Sequence, residues 1–263
     1  MAIKALLVAL TIPAIVCASH EKVDSIRIVD GMPARLGDIP SIVSLQAPIG
    51  HHRCGGSLID AYTILTAAHC VYGIGTLGYT AKDDQSFGGV TTHVVSMTAH
   101  PKFTDGSGSL DHDVGILKLA YPILPTSSIE YAILAAAEYD PAVGMNATVA
   151  GWGATEYTEE NLPEKLRMAH VPIVSREVCS AQFSQDGVWG PKVTKDMLCA
   201  GFNKGDSCHG DSGGPILKAE GKVLIGVVSW GWPECISGHA GVYARVGAMR
   251  GFIDRHMGTP DRH

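Results

Sequence analysis

The sequence predicts an all-β protein, and three observations carry that prediction. From about residue 40 onward the chain breaks into short runs rich in Val, Ile and Thr. Gly, Pro and Asp recur between these runs at regular spacing, as in sandwiches and closed barrels. Helical spacing is confined to a turn near His69, to residues 175–183 and to the tail after Gly247. In that tail Met249, Phe252, Ile253 and His256 fall on one helical face.

Taken in order, the first 18 residues read as a secretion signal. Lys4 supplies the positive start, an apolar run follows, and Val16-Cys17-Ala18 provides a small-residue cleavage site. The apolar stretch is short and broken by Pro13, which argues against a membrane anchor. Residues 19–27 form a short polar segment ending in Ile26-Arg27, ahead of Ile28-Val29-Asp30-Gly31. The predicted strands are 41–46, 56–59, 63–67, 91–99 and 114–120, then 147–151, 168–174, 197–200, 215–218, 223–230 and 241–246. Residues 127–140 lack strand patterning and read as the crossing between two halves.

Composition sets the bounds. With 263 residues, 46% hydrophobic and 17% charged, the chain is globular and long enough for one large all-β unit or two smaller ones. The net charge of −6 argues against nucleic acid as a partner. Of seven cysteines, Cys17 leaves with the signal. The remaining six suit an oxidising compartment and allow fifteen pairings. Zinc binding is disfavoured because no Cys-x-x-Cys pair occurs.

One stretch stands out chemically: Gly205-Asp206-Ser207-Cys208-His209-Gly210-Asp211-Ser212-Gly213-Gly214-Pro215. A serine among glycines is ordinarily a turn, yet that reading leaves two carboxylates in a Gly-rich segment unexplained. The alternative makes Ser212 a nucleophile, with the N–H groups of Gly210 and Ser212 aimed at a developing oxyanion. On that reading, side chains at Gly210 or Gly213 would block the approach of a carbonyl. Such a serine needs a base. His69 follows Thr66-Ala67-Ala68 and precedes a cysteine that would fix its backbone. A buried acid should orient the base; Asp111 and Asp113 compete, and Asp113 directly precedes the apolar run 114–119. Gly210-x-Ser212-x-Gly214 also fits the nucleophile elbow of α/β-hydrolases, but there the acid and histidine follow the serine.

The motifs Thr66-Ala67-Ala68-His69-Cys70, Asp111-His112-Asp113-Val114-Gly115-Ile116-Leu117 and Gly210-Asp211-Ser212-Gly213-Gly214-Pro215 resemble the trypsin branch of the chymotrypsin-like serine proteases. The similarity reads as nearest to the trypsins of filamentous fungi and runs from Ile28 to the C-terminal region. It implies two six-stranded antiparallel Greek-key barrels and a C-terminal helix, with barrel 1 over about 28–132, barrel 2 over about 133–246 and the helix over about 247–257. It implies a catalytic set of His69, Asp113 and Ser212, an oxyanion hole at Gly210 and Ser212, and disulfides Cys54–Cys70, Cys179–Cys199 and Cys208–Cys235. It implies a precursor cut after Arg27, freeing the Ile28 amino group to pair with Asp211.

Asp206 would lie at the base of the substrate pocket, demanding Arg or Lys before the scissile bond, and Ser207 would add a polar contact. Gly231 and Gly241 would leave room along the walls, and Ser229, Trp230 and Gly231 would bind substrate backbone. His209 and Trp232 fall at opposite rims of the pocket and Phe183 behind it. The resemblance thus implies a secreted monomeric endopeptidase acting on proteins and peptides and met by protein inhibitors, the alternative being a catalytically silent homologue that acts as a binding protein. No cofactor, metal, nucleic acid or membrane is expected; Asp83-Asp84 is too sparse for a calcium loop. Asn146-Ala147-Thr148 is a glycosylation sequon.

Overall fold

Alternation along the strands decides which face each one buries. The computed structural model describes residues 31–47, 50–71, 80–83, 89–103, 110–154, 162–185, 192–202, 207–232 and 239–260. A two-residue strand, β1 (Met32–Pro33), precedes six that form the first barrel. These are β2 (Ile42–Gln46), β3 (His52–Asp60), β4 (Thr63–Thr66), β5 (Thr80–Asp83), β6 (Thr91–Ala99) and β7 (Gly115–Leu119). They close antiparallel in the order β2-β3-β4-β7-β6-β5. On β6, Thr92 and Val94 turn into the barrel while Thr91, His93 and Val95 face out, as the period of two requires. β2 is buried along its whole length.

The second barrel uses β9 (Asn146–Gly151), β10 (Arg167–Val174), β11 (Met197–Gly201), β12 (Pro215–Lys218), β13 (Val223–Trp230) and β14 (Ala240–Arg245). The path β10-β11-β14-β13-β12-β9 closes on itself because β9 also pairs with β10. β1 extends this sheet along β10, and β8 (Ile133–Leu134) joins β13 in parallel. The two six-stranded barrels are therefore as the family resemblance implies. The additional strands are those the sequence hides: β1 and β8 are too short to show a period. β5 reads Thr-Ala-Lys-Asp, with no apolar alternation.

Two helices complete the fold. α1 (Arg176–Gln185) begins where the Ser175 hydroxyl accepts the Val178 N–H at 3.2 Å, a side-chain N-cap. α2 (Val246–Arg255) follows β14 directly and buries Val246, Met249, Phe252 and Ile253 at helical spacing. Past α2, Gly258 ties the tail to the first barrel: its N–H donates to Asp60 Oδ2 at 2.7 Å, and its carbonyl accepts from Lys118 Nζ at 2.7 Å.

One apolar cluster runs through both barrels and includes fully buried Trp152, Leu65, Ile116, Leu217 and Ile225. A smaller cluster of Cys179, Phe183, Val193, Met197, Cys199, Ala240 and Val242 lies beneath Trp230 and Trp232. Each large aliphatic side chain so buried contributes about 1.5–3 kcal/mol, offset by lost chain entropy. Disulfides join Cys54 to Cys70 and Cys179 to Cys199. Cys208 is also disulfide-bonded; its expected partner, Cys235, lies outside the described residues.

Candidate active site

The carboxylate that precedes β7 is the most completely enclosed polar group of the site. Asp113 is 0% exposed. His112, at φ 58°, makes the tight turn that aims the next side chain inward, and Val114 N–H closes it onto the His112 carbonyl at 2.7 Å. Three donors meet the Asp113 carboxylate. His69 N–H reaches Oδ1 at 2.9 Å, His69 Nδ1 lies 2.7 Å from Oδ2, and the Ser229 hydroxyl donates to the same Oδ2 at 2.5 Å. A buried charge is tolerated only when its lone pairs are met in this way. Asp111, the competing acid, turns the other way: it accepts from Thr194 Oγ1 at 3.0 Å and stays partly exposed. The geometry thus separates the two aspartates.

His69 is fixed from both sides. Ala67 and Ala68 before it are wholly buried, and Cys70 after it is bonded to Cys54 on β3. Its imidazole edge borders a cleft of about 550 Å³ that also holds His51, Arg53, Leu162, His209, Gly210 and Ser212.

Ser212 sits in a loop laced to both barrels. Its carbonyl accepts from Gly55 N–H at 2.8 Å, and Gly213 N–H donates to Val228 at 2.8 Å. Gly210 and Gly213 have φ of 96° and 79°, a region open to glycine. A side chain at Gly213 would overlap Thr66 Oγ1 and the Gly55 carbonyl. The glycine there lets the loop pack closely against the first barrel.

Behind this loop Asp211 is 1% exposed. Its Oδ1 accepts Gly153 N–H at 2.7 Å and its Oδ2 accepts Cys208 N–H at 2.9 Å. Burial pushes its carboxyl up to about 6, against the pull of those two N–H groups. Among the described residues no cation pairs with it.

His52 was not visible as a functional residue in the sequence. Its Nε2 donates to the Gly210 carbonyl at 2.8 Å, which leaves Nδ1 to accept the Ser44 hydroxyl at 2.7 Å. Burial lowers its pKa, with the Gly210 bond opposing, so the ring is held neutral in one tautomer. It thereby anchors the glycine whose N–H is expected to face the oxyanion.

The other expected residues fall around this centre. Ser229 is buried at the end of β13, and Trp230 and Gly231 follow it, partly buried. Gly241 lies in β14 opposite Ala200. Phe183 packs 4.7 Å from the Trp230 ring, and Trp232 stacks on His239 at 4.2 Å. His209 is exposed at the cleft, and Ser207 is partly buried. Asp206, Arg27, Ile28 and Asp84 lie outside the described residues.

A profile of the trypsin family matches residues 28–253. The chain belongs to the trypsin family. It is 35% identical over 230 residues to trypsin delta of Drosophila melanogaster, covering 86% of this chain and 87% of that one. It is 38% identical over 240 residues to trypsin Blo t 3 of Blomia tropicalis, covering 89% and 86%. Among solved structures, neuropsin, a serine protease expressed in the limbic system of mouse brain, superposes with a TM-score of 0.76 at 28% identity, over 87% of this chain and 99% of that one.

As a trypsin-family member, the chain is a serine endopeptidase, a hydrolase of protein substrates. The affinity to fungal trypsins is corrected: these relatives are insect and mite trypsins. The motifs around His69 and Ser212 are common to the family, so they could not separate its branches. No helix among the described residues is long and apolar enough to cross a membrane.

Proposed function

We propose that this trypsin-family protein is a secreted, monomeric endopeptidase that cleaves after Arg and Lys through an acyl-enzyme. It is made as a precursor: a signal over 1–18, a propeptide over 19–27 and the protease over 28–263. The observation that carries the reading is the buried Asp113–His69 pair opening onto the same cleft as Ser212.

His69 takes the Ser212 hydroxyl proton at Nε2 while Oγ attacks the scissile carbonyl carbon. The carbonyl electron pair moves to oxygen, where the N–H groups of Gly210 and Ser212 receive it. Collapse of that intermediate breaks the C–N bond, and the leaving amine takes the proton from His69. Water then repeats the sequence on the ester and frees Ser212. Asp113 stays ionised throughout, holding the Nδ1 proton and stabilising the imidazolium.

Specificity is assigned to Asp206. A carboxylate in a narrow, desolvated pocket favours a cationic side chain, and Gly231 and Gly241 leave room for its length. Ser207 adds a polar contact for Lys, and Ser229, Trp230 and Gly231 hold the substrate backbone as an added strand. Activation is assigned to Arg27: the trypsin match begins one residue later, and the buried Asp211 carboxylate lacks a described counter-charge that the Ile28 ammonium would supply. Protein inhibitors are expected to occupy the same cleft as substrates.

The test is hydrolysis of fluorogenic Arg, Lys, Tyr and Phe anilides by protein cleaved after Arg27, with Ser212→Ala as the control. Turnover of Arg and Lys substrates that Ser212→Ala abolishes supports the assignment. Equal signals from both proteins overturn it, and faster cleavage after Tyr or Phe removes Asp206 from its role.

A further inference from the structure

Of the three asparagines in the sequence, Asn146 alone begins an Asn-x-Thr sequon. The structure puts it at the first position of β9, exposed, opposite Pro172 of β10. Asn146 lines a groove of about 320 Å³ together with His170, Pro172, Val174, Val178 and Phe202. That lining is mainly apolar, and Val178 is 47% exposed. None of these residues borders the Ser212 cleft. The apolar lining beside Asn146 offers a surface on which a sugar ring could stack.

We infer that Asn146 carries an N-linked glycan whose first sugars lie in this groove. Sugar rings present C–H faces to the proline and phenylalanine and hydroxyls to water, which suits a groove with an apolar lining and an open top. The transfer uses a lipid diphosphate-linked oligosaccharide as donor. Asn146 Nδ2 bonds to C1 of the reducing-end sugar, the bond from C1 to the phosphate oxygen breaks, the lipid diphosphate leaves, and one amide proton is released.

The fold also sets when this happens. The sequon hydroxyl, Thr148 Oγ1, is 2% exposed and lies 3.0 Å from His170 Nδ1, and β9 is paired on both sides by β10 and β12. A transferase must bind the sequon in extended, unpaired form. The glycan is therefore added to the nascent chain, before β9 and β10 join.

The inference rests on the secretory routing proposed above, and the experiment separates the two. The full chain is translated with endoplasmic-reticulum microsomes, once with its own leader and once behind a heterologous signal. A single endoglycosidase-sensitive shift is expected, lost in Asn146→Gln and Thr148→Val and kept in Thr148→Ser. These readouts precede folding, so a folding defect does not blur them. No shift behind the heterologous signal overturns the inference; a shift there but not with the native leader overturns the secretory reading alone.

Refolded, unglycosylated chain offered to the same membranes is expected to stay unmodified, and its modification would overturn the timing. Secreted enzyme is expected to bind less apolar dye than its deglycosylated form or Asn146→Gln, at unchanged turnover of an Arg anilide. Equal dye binding would overturn the placement in the groove.

Discussion

Asp211 makes the activation proposal measurable through pH. Its carboxyl is pushed up to about 6 by burial, from an ordinary value of 3.8. A folded-state pKa above the unfolded one means that the folded chain holds more protons between those two values. Stability is then fully present below the lower value and declines as pH rises through the upper one. The shift corresponds to about 3 kcal/mol lost between about pH 4 and pH 6. That slope belongs to the uncleaved chain.

After cleavage at Arg27, an ammonium beside the carboxylate would favour its charged form, so the slope should vanish or reverse. The assay is denaturant unfolding from pH 4 to 7 on a Ser212→Ala background, which prevents self-digestion, before and after cleavage by an added protease. Each form is compared with its Asp211→Asn counterpart, so that other titrating groups cancel. The uncleaved pair should diverge with falling pH, the Asp211 form gaining stability, and the cleaved pair should not. Parallel pH profiles for cleaved and uncleaved protein would refute the argument that the new terminus reaches Asp211.

Three further outcomes follow from named contacts. Asp113→Asn keeps the hydrogen-bonding shape but favours the wrong His69 tautomer, so kcat on an Arg anilide should fall by about 10⁴-fold with KM little changed. His52→Phe removes the donor to the Gly210 carbonyl and the ring nitrogen that accepts from the Ser44 hydroxyl. A loss of about 1–3 kcal/mol of transition-state stabilisation, seen as a 5- to 150-fold fall in kcat, is expected on stopped-flow acylation, roughly the cost of an unmade buried bond. Replacing both Cys54 and Cys70 by Ala opens a loop with a sequence separation of 16. That should cost about 3 kcal/mol in denaturant unfolding, and kcat should fall as well because His69 adjoins Cys70.

Much of the site was legible because its motifs are contiguous. The His69, Asp113 and Ser212 segments each carry enough fixed neighbours to betray the family, and short β-branched runs between Gly, Pro and Asp turns placed eleven strands to within a few residues. What stayed hidden depends on distance along the chain. His52 acts on Gly210 from 158 positions away and Ser229 meets Asp113 across 116, and neither partner marks the other locally. Ser229 was legible only as a backbone-binding residue; its hydroxyl on Asp113 needed coordinates. The same holds for Gly213, whose lack of a side chain answers to Thr66 and Gly55 on the opposite barrel as well as to the positive φ of its own loop.

Those long-range bonds share a location, and the location explains why the chain needs two barrels. His69 and Asp113 come from the ends of β4 and the turn into β7, in the first barrel. Ser212 and Ser229 come from the β11–β12 connection and from β13, in the second. Each half reaches across: Ser229 donates to Asp113, and Gly55 donates to the Ser212 carbonyl. His69 and Ser212 therefore border one cleft only when the barrels dock in one register. A rigid β framework supplies that register at small entropic cost, because its strands are fixed by folding and not by substrate. Residues on this seam are thus constrained twice, by packing and by chemistry. Asp113, Ser229 and His52 are all buried on this seam, and each has a polar atom met by a partner from the other barrel.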